Sequence, residues 1–593
     1  MRSPSRRQFI EGMAAVAATA GLGTSRGWAR DDRSSGQTLS GTQFDLTIGS
    51  TPVNFTGRAR MATTVNDTLP GPILRFREGE TVTLNVRNTL SEHSSIHWHG
   101  LLLPNAMDGV PGLTFRGIKP GETFKYQFPI RQSGTYWYHS HSGMQEQTGL
   151  YGALILEPRS REPYSYQREF VVMLNDWTDE DPMTIVSNLK QQGDYYNYNQ
   201  RTLGTFLNDT KRDGLSASVD DRLMWGQMRM SPTDIMDVTG ATYTFLMNGQ
   251  PPGANWTGLF NPGEKVRLRF INGSAMSTFD VRVPGLAMTV VQADGSDVEA
   301  IEVDEFRIGV AETYDVIVTP RRDAYTIFAQ AQDRSGYARG TLATRAGLAA
   351  AIPPMDPVPM RTMDDMGMGG MNMPGMKMGG GAAHGPSAPH GMSGMDMKGM
   401  SHEQMPGMKA PVDSSIPTTN ADGVDVASLA GKPSVDNIAM ETKDRLGEPG
   451  TGLENNGRRV LTYRDLRSIK QHAAIQPTRA IEFHLTGNMQ RWVWGFNGKK
   501  FSEAGAVNIK LGERIRFVLV NDTMMEHPLH LHGYLFEVEN GNGDRLPLKH
   551  TVNVKPGERM SLVFTADAPG HWAFHCHLMF HMEMGMFRTV LVS

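Results

Sequence analysis

Residues 78–88 read EGETVTLNVRN, and the same unit returns as PGEKVRLRFIN at 262–272 and as LGERIRFVLVN at 511–521. Each copy opens on a Gly-Glu turn, alternates apolar and polar residues with a period of two, and ends in Asn. That pattern predicts a β-strand. A second unit follows each copy: PGETFKYQF at 120–128, VAETYDVIV at 310–318 and PGERMSLVF at 556–564. Two strand units, three times in the same order, predict three copies of one fold. Many short strands bounded by Gly and Pro predict β-sandwiches. The chain therefore reads as all-β, with sandwich domains at 38–160, 161–345 and 456–593.

Residues 346–455 differ in composition. Of the 38 Met in the chain, 15 fall between 355 and 408, among Gly, Pro and three His (His384, His390, His402). The tract has no usable periodicity and is expected to be a flexible insert, followed by polar linker from 410 to about 455. The N-terminus carries Ser5-Arg6-Arg7-Gln8-Phe9-Ile10, a mildly apolar stretch over Met13–Gly23 and then Gly27-Trp28-Ala29. It reads as a twin-arginine signal peptide over 1–29, removed on export to the periplasm. No later segment has 18 uninterrupted apolar residues, so no membrane span is expected.

The balance of 39% hydrophobic and 20% charged residues is that of a soluble globular chain. A net charge of -4 without a dominant basic patch speaks against a nucleic-acid partner. The single cysteine, Cys576, excludes a disulfide framework and any four-cysteine metal site.

The 18 His are not scattered. Random placement predicts about 0.5 His-x-His pairs, whereas the chain has four: His97/His99, His139/His141, His530/His532 and His575/His577. On a strand, residues i and i+2 point to one side. The pairs also occupy matched places in the repeat: His97 and His530 each follow the unit's Asn by nine residues, and His139 and His575 each follow the second unit's Glu by 17. Packed with pseudo-two-fold symmetry, domains 1 and 3 bring eight imidazoles together, a set suited to about three metal ions. The middle domain has Val281 and Val283 where the others have His-x-His, so it is read as a spacer. Domain 3 adds His527, Cys576, His581 and Met586, the two imidazoles, thiolate and thioether of a blue-copper site. Domain 1 has Ser94, Ser140, Gln145 and Leu150 at those places, so one such site per chain is expected. His550 is among the eight His left outside these centres.

Four motifs carry a family resemblance: His97-Trp-His-Gly100, His139-Ser-His141, His527-Pro-Leu-His-Leu-His532, and His575-Cys-His-Leu-Met-Phe-His581 ending at Met586. They resemble the multicopper oxidases. With the leader and the Met-rich insert, the chain is similar to the copper-resistance (CopA/PcoA-type) branch. The resemblance implies three cupredoxin-like domains, the second without copper, and four copper ions. It implies a type 1 copper on His527, Cys576, His581 and Met586, and a type 2 copper on His97 and His530. The type 3 pair falls to His99, His139, His141, His532, His575 and His577. It further implies transfer of four electrons from a one-electron donor to O2, giving water. Asp108, in Met107-Asp-Gly-Val110, matches a carboxylate that assists proton delivery. Some relatives carry Glu just before the last type 1 His; Phe580 stands there and puts that proton route in doubt.

Thioether sulfur is soft and selects Cu(I). The expected donor is therefore Cu(I), gathered by Met366, Met368, Met371, Met373, Met376, Met378, Met392, Met395, Met397, Met400, Met405 and Met408, with Met224, Met228 and Met230 a weaker group. The competing readings are a laccase-like oxidase of phenols, a copper-sequestering protein and a structural protein on the same fold. A monomer is expected, because one chain supplies both halves of the cluster.

Overall fold

The computed structural model describes residues 37–368, 416–473 and 475–593. The leader 1–29 and Met371 through Met408 lie outside them. The described chain is almost entirely β, in six sheets that come in three pairs along the sequence.

The repeated unit forms the same strand each time: Thr81–Asn88, Val266–Asn272 and Arg514–Asn521. Each pairs in parallel with an earlier strand of its own domain, Gln43–Val53, Arg168–Trp177 and Arg479–Asn488, with Asn88 opposite Ile48, Asn272 opposite Leu174 and Asn521 opposite Leu485. Each pairs antiparallel with the second unit, in strands Thr123–Pro129, Thr313–Val318 and Arg559–Thr565.

The terminal Asn has the same task three times. Its amide donates to two carbonyls: Glu92 and Ile118 from Asn88, Ser277 and Ile308 from Asn272, Met525 and Val554 from Asn521. Its backbone N–H donates to the carbonyl of the second unit's Glu, residues 122, 312 and 558. Those Glu carboxylates in turn accept the N–H three residues back, from Lys119, Gly309 and Lys555. A buried amide with each polar group satisfied fixes the loop that leads to the next strand. In domains 1 and 3 that strand carries the His-x-His pair.

The second sheet of each pair keeps one register. His97 lies opposite His139, and His530 opposite His575; in the middle domain Val281 lies opposite Ala329. The first domain encloses its own core around Leu46, Leu84, Trp98, Tyr126 and Leu154. The middle strand Val266–Asn272 is buried on both faces. Its Arg267 and Arg269, expected to face solvent in an isolated sandwich, pair instead with Asp315 and with Glu162 or Glu169. A buried charge of this kind is tolerated only when paired.

Two regions differ from the sequence reading. Helices Pro182–Gln191, Leu203–Asp213 and Leu215–Met228 interrupt the middle domain. The stretch read as insert and linker is also structured where described. Thr418–Asn420 adds a parallel strand beside Ala480–Glu482. Arg361 and Arg307 converge on the buried carboxylate of Glu526, at 3.4 and 3.1 Å, and hold it near pKa 2 against its burial. Met366 and Met368 are 1% and 7% exposed and pack in the core, so they do not present thioethers to solvent. Among the described residues no helix is long and apolar enough to cross a membrane.

Candidate metal centres

The eight paired histidines converge. His97 stacks on His532 at 3.9 Å and His99 on His530 at 3.8 Å, so the two strands meet head to tail. His532 Nε2 faces His575 Nε2 at 3.0 Å. Ligand-type atoms of His97, His530 and His532 lie within 4.8 Å of one another, as do those of His97, His99 and His139 and of His141, His532 and His575.

One nitrogen of most rings is spoken for. Nδ1 of His530 donates to the His550 carbonyl at 2.7 Å, and Nδ1 of His575 to the Cys576 carbonyl at 2.9 Å. The opposite nitrogens, Nε2 of His97, His139, His141, His530 and His577 and Nδ1 of His99, are buried and have no partner among the described residues. Six orphaned imidazole nitrogens in one place fit a metal cluster and little else, because buried polar atoms are otherwise paired. Burial and neighbouring rings hold His99, His139, His141, His530, His532 and His577 well below the usual histidine range, and burial takes His575 to about 4. They are neutral, the form that binds a metal.

Asp108 is buried at the edge of this cluster. Its carbonyl accepts from His97 Nδ1 at 2.8 Å, and its carboxylate lies 2.9 Å from His532 Nδ1 and 3.3 Å from His97 Nδ1. Gly109 makes the approach possible: at φ +88° it lies where a Cβ would be 1.9 Å from the Ile96 carbonyl. Phe580 is fully buried. A carboxylate reaches the cluster from domain 1 instead: Glu146 lies 2.7 Å from His139 Nδ1 and 3.9 Å from His577 Nδ1. Burial and the nearby Asp176 push it well above the usual carboxylate range.

A second group forms in domain 3. Cys576 Sγ lies 3.5 Å from His527 Nδ1 and 3.8 Å from His581 Nδ1, which are 3.2 Å from each other. The fully buried Met586 exchanges backbone hydrogen bonds with Cys576 and His581. Burial raises the Cys576 thiol well above its usual range, so a thiolate here needs a compensating cation. Both rings are fixed from behind: His527 Nε2 meets Thr523 Oγ1 at 2.7 Å, and His581 Nε2 meets Asp237 Oδ2 at 2.9 Å. Trp494 stacks on His581 at 3.8 Å. In domain 1 the matching residues make a polar plug, with Ser94 and Ser140 both donating to Gln145 Oε1 beside buried Leu150.

Beside this group opens a cleft of about 320 Å³, lined by Asp194, Arg229, Met230, Asp234, Met489 and Met524 among others. It shares Met230, Met489 and Met524 with a smaller recess against Trp494, Asp522 and Thr523. Asp234 Oδ1 is buried without a partner among the described residues. Burial, with Asp237, Asp194 and Asp333 nearby, raises its carboxyl well above the usual range. Three methionines and a buried carboxyl without a partner thus line one opening next to the residues that back the Cys576 group. Sequence reasoning singled out Met230 and missed Met489, Met524, Asp234, Asp237 and Glu146. None belongs to the His-x-His pairs or to the Cys576 motif that the sequence marks.

Comparison with known proteins bears on these centres. Residues 47–161, 168–348 and 474–593 match three multicopper oxidase family models. The chain is 55% identical to Copper resistance protein A of Escherichia coli, over 99% of each chain. It is 29% identical to Multicopper oxidase MmcO of Mycobacterium tuberculosis, over 93% of this chain and 86% of that one. Among solved structures, Fet3p, a multicopper oxidase that functions in iron import, gives a TM-score of 0.61 at 19% identity, over 94% of this chain and 91% of that one. The laccase from Botrytis aclada gives 0.59 at 19%, over 94% and 88%. At these identities the structural likeness speaks for the fold alone.

Proposed function

The chain belongs to the multicopper oxidase family and is a copper-dependent oxidase that uses O2; from that premise we propose that it is a periplasmic cuprous oxidase, taking electrons from Cu(I) and serving copper tolerance. The 55% identity to a protein named for copper resistance supports the setting. The observation that carries the substrate is the cleft of Met230, Met489, Met524 and Asp234 beside the Cys576 group.

The donor set fits four copper ions. His527, Cys576, His581 and Met586 would hold the type 1 ion, His97 and His530 the type 2 ion, and His99, His139, His141, His532, His575 and His577 the type 3 pair. Bound there, copper supplies one-electron redox chemistry and the four-electron reduction of O2 to water.

The chain's own residues do the rest. Cys576 is bonded through its backbone to His575 and His577, a short covalent link between the two groups. Asp237, from the middle domain, fixes the His581 ring through Nε2. Asp108, facing both His97 and His532, is the proton carrier we assign to the cluster. The ten Met between 371 and 408 would gather Cu(I) and hand it to the cleft. Met230, Met489 and Met524 line both the cleft and the recess against Trp494, and their thioethers suit a soft cation.

The test is Met489→Ala with Met524→Ala, assayed with Cu(I) and with a simple phenol. A KM for Cu(I) raised at least tenfold, with phenol turnover within twofold of wild type, is the expected result. Equal loss on both donors would refute the cleft as the Cu(I) site. The laccase reading predicts phenol turnover in excess of Cu(I) turnover; sequestration predicts no O2 uptake from either.

A further inference from the structure

The middle domain carries Val281 and Ala329 where its neighbours carry histidines, and its sequence reads as a spacer. We propose that it supplies a positioning residue to the eight-histidine cluster. That residue is Asp294, whose carboxylate fixes the segment Lys549–Thr551 and, through it, His99 and His530. The inference rests on the reading of the cluster as a copper centre.

Asp294 stands in the turn between strands Met288–Ala293 and Ser296–Val303, at φ +46°. This left-handed conformation costs a non-glycine residue on the order of 1 kcal/mol, although Asp tolerates it better than most. The turn is pressed against domain 1. A Cβ on Gly295 would lie 2.2 Å from the Tyr136 ring, and one on Gly134 would lie 2.3 Å from the Gly295 carbonyl oxygen. The strand so contacted, Gly134–His139, ends in a cluster histidine.

The carboxylate reaches domain 3 from there. Oδ1 accepts from its own domain, the Thr313 N–H at 3.0 Å. Oδ2 accepts from the backbone N–H of His550 at 3.2 Å and of Thr551 at 3.1 Å, and pairs with Lys549 Nζ at 3.1 Å. It lies 3.6 Å from His550 Nδ1. Glu312, also from the middle domain, makes the second ion pair of Lys549 at 3.1 Å. Asp294, Lys549, His550 and Thr551 are all fully buried. A buried ion pair adds little stability by itself. What it fixes here is the position of three successive residues.

Those residues touch cluster histidines from both flanking domains. The His550 carbonyl accepts from His530 Nδ1 at 2.7 Å, leaving His530 Nε2 toward the cluster. His99 is the other way round. Its unpartnered atom is Nδ1, and Nε2 faces His550 Nδ1 at 3.2 Å and Thr551 Oγ1 at 3.3 Å, so a metal held by Nδ1 would leave the proton on Nε2. Segment 549–551 therefore sets the tautomer of two rings that stack on each other. Gly100, directly after His99, makes room: a Cβ there would lie 2.5 Å from His550 Cδ2. Partners of this kind orient metal ligands, and losing one typically lowers metal affinity about 10–100-fold.

The test uses the copper-loaded full chain with Asp294→Ala, and with Asp294→Ala combined with Lys549→Met so that no unpaired buried cation remains. Copper per chain is measured after dialysis against chelators of graded strength. Blue absorption, the paramagnetic resonance of the non-blue mononuclear ion and the thermal midpoint are recorded alongside. The expected result is cluster copper lost to a chelator about 10–100-fold weaker than wild type requires, an altered non-blue resonance, and unchanged blue absorption. Wild-type copper retention in the double variant would overturn the proposal. So would loss of blue and cluster copper together, in step with the thermal midpoint, because that is what a merely structural residue would do. A wild-type chain that holds copper only at Cys576 would overturn the reading of the cluster, and this inference with it.

Discussion

At the scale of single residues, the two metal groups rest on groups that have one role each. Cys576→Ser should abolish the blue absorption and donor oxidation while leaving cluster copper in place; full activity in that variant would remove Cys576 from the electron path. Asp108→Asn keeps the carbonyl contact to His97 but weakens both carboxylate contacts. It should lower O2 reduction about 10–100-fold with the blue band intact, and rapid reoxidation of the reduced variant by O2 would contradict the role. A pH effect arises away from the metals. His484 is clamped between Asp522 Oδ2 at 2.7 Å and Glu482 Oε1 at 3.0 Å, and against burial these carboxylates raise it to about 9. A raised histidine pKa stabilises the fold fully below 6.5, and the gain is lost as pH climbs through about 9. His484→Gln should therefore cost up to about 3 kcal/mol near neutrality and little at high pH, read as a difference in thermal midpoints that closes on the alkaline side. The cluster histidines were legible in the sequence because they recur at fixed offsets from Asn and Glu. Glu146, Asp237, Asp294 and His550 were not, because no spacing marks them: Glu146 turns back onto His139 from the loop that follows it, and Asp237 and Asp294 come from the middle domain.

At the scale of elements, the repeat succeeds because its Asn does the same bonding in each domain. Asn272→Ala tests this where no cluster ligand is at stake. The Ser277 and Ile308 carbonyls lose their donor, a cost of roughly 2 kcal/mol for buried acceptors, with copper content unchanged. A thermal midpoint equal to wild type would mean that the loops hold without the Asn. Strand period and Gly-Glu turns made the sandwiches readable. The helices Pro182–Gln191, Leu203–Asp213 and Leu215–Met228 escaped notice because they lie outside the repeat. Leu203, Leu207, Leu215 and Leu223 of the second and third are exposed, so those apolar positions do not mark a buried face, whereas the first helix buries Ile185, Val186 and Leu189. Thr418–Asn420 escaped because three residues in a polar stretch carry no period, and only the edge of Arg479–Asn488 makes them a strand.

At the scale of the whole molecule, three domains share one task. Domains 1 and 3 furnish the histidines; the middle domain supplies Asp237 behind His581, Asp234 and Met230 in the cleft, and Asp294 behind the cluster. The division between domains with and without His-x-His pairs was visible in the sequence; the contacts that the middle domain makes to the other two were not. The Met-rich tract is bounded by ordered chain: Arg361, Met366 and Met368 are buried, so a deletion that tests recruitment must begin after them. The most direct test of the account is O2 consumption by copper-loaded protein with a chelated Cu(I) donor and with a simple phenol, in wild type and in a variant lacking residues 371–408. The account predicts efficient Cu(I) oxidation that falls in the variant, with phenol turnover falling less. Phenol oxidation with little Cu(I) activity, or no O2 uptake with either donor, would contradict it.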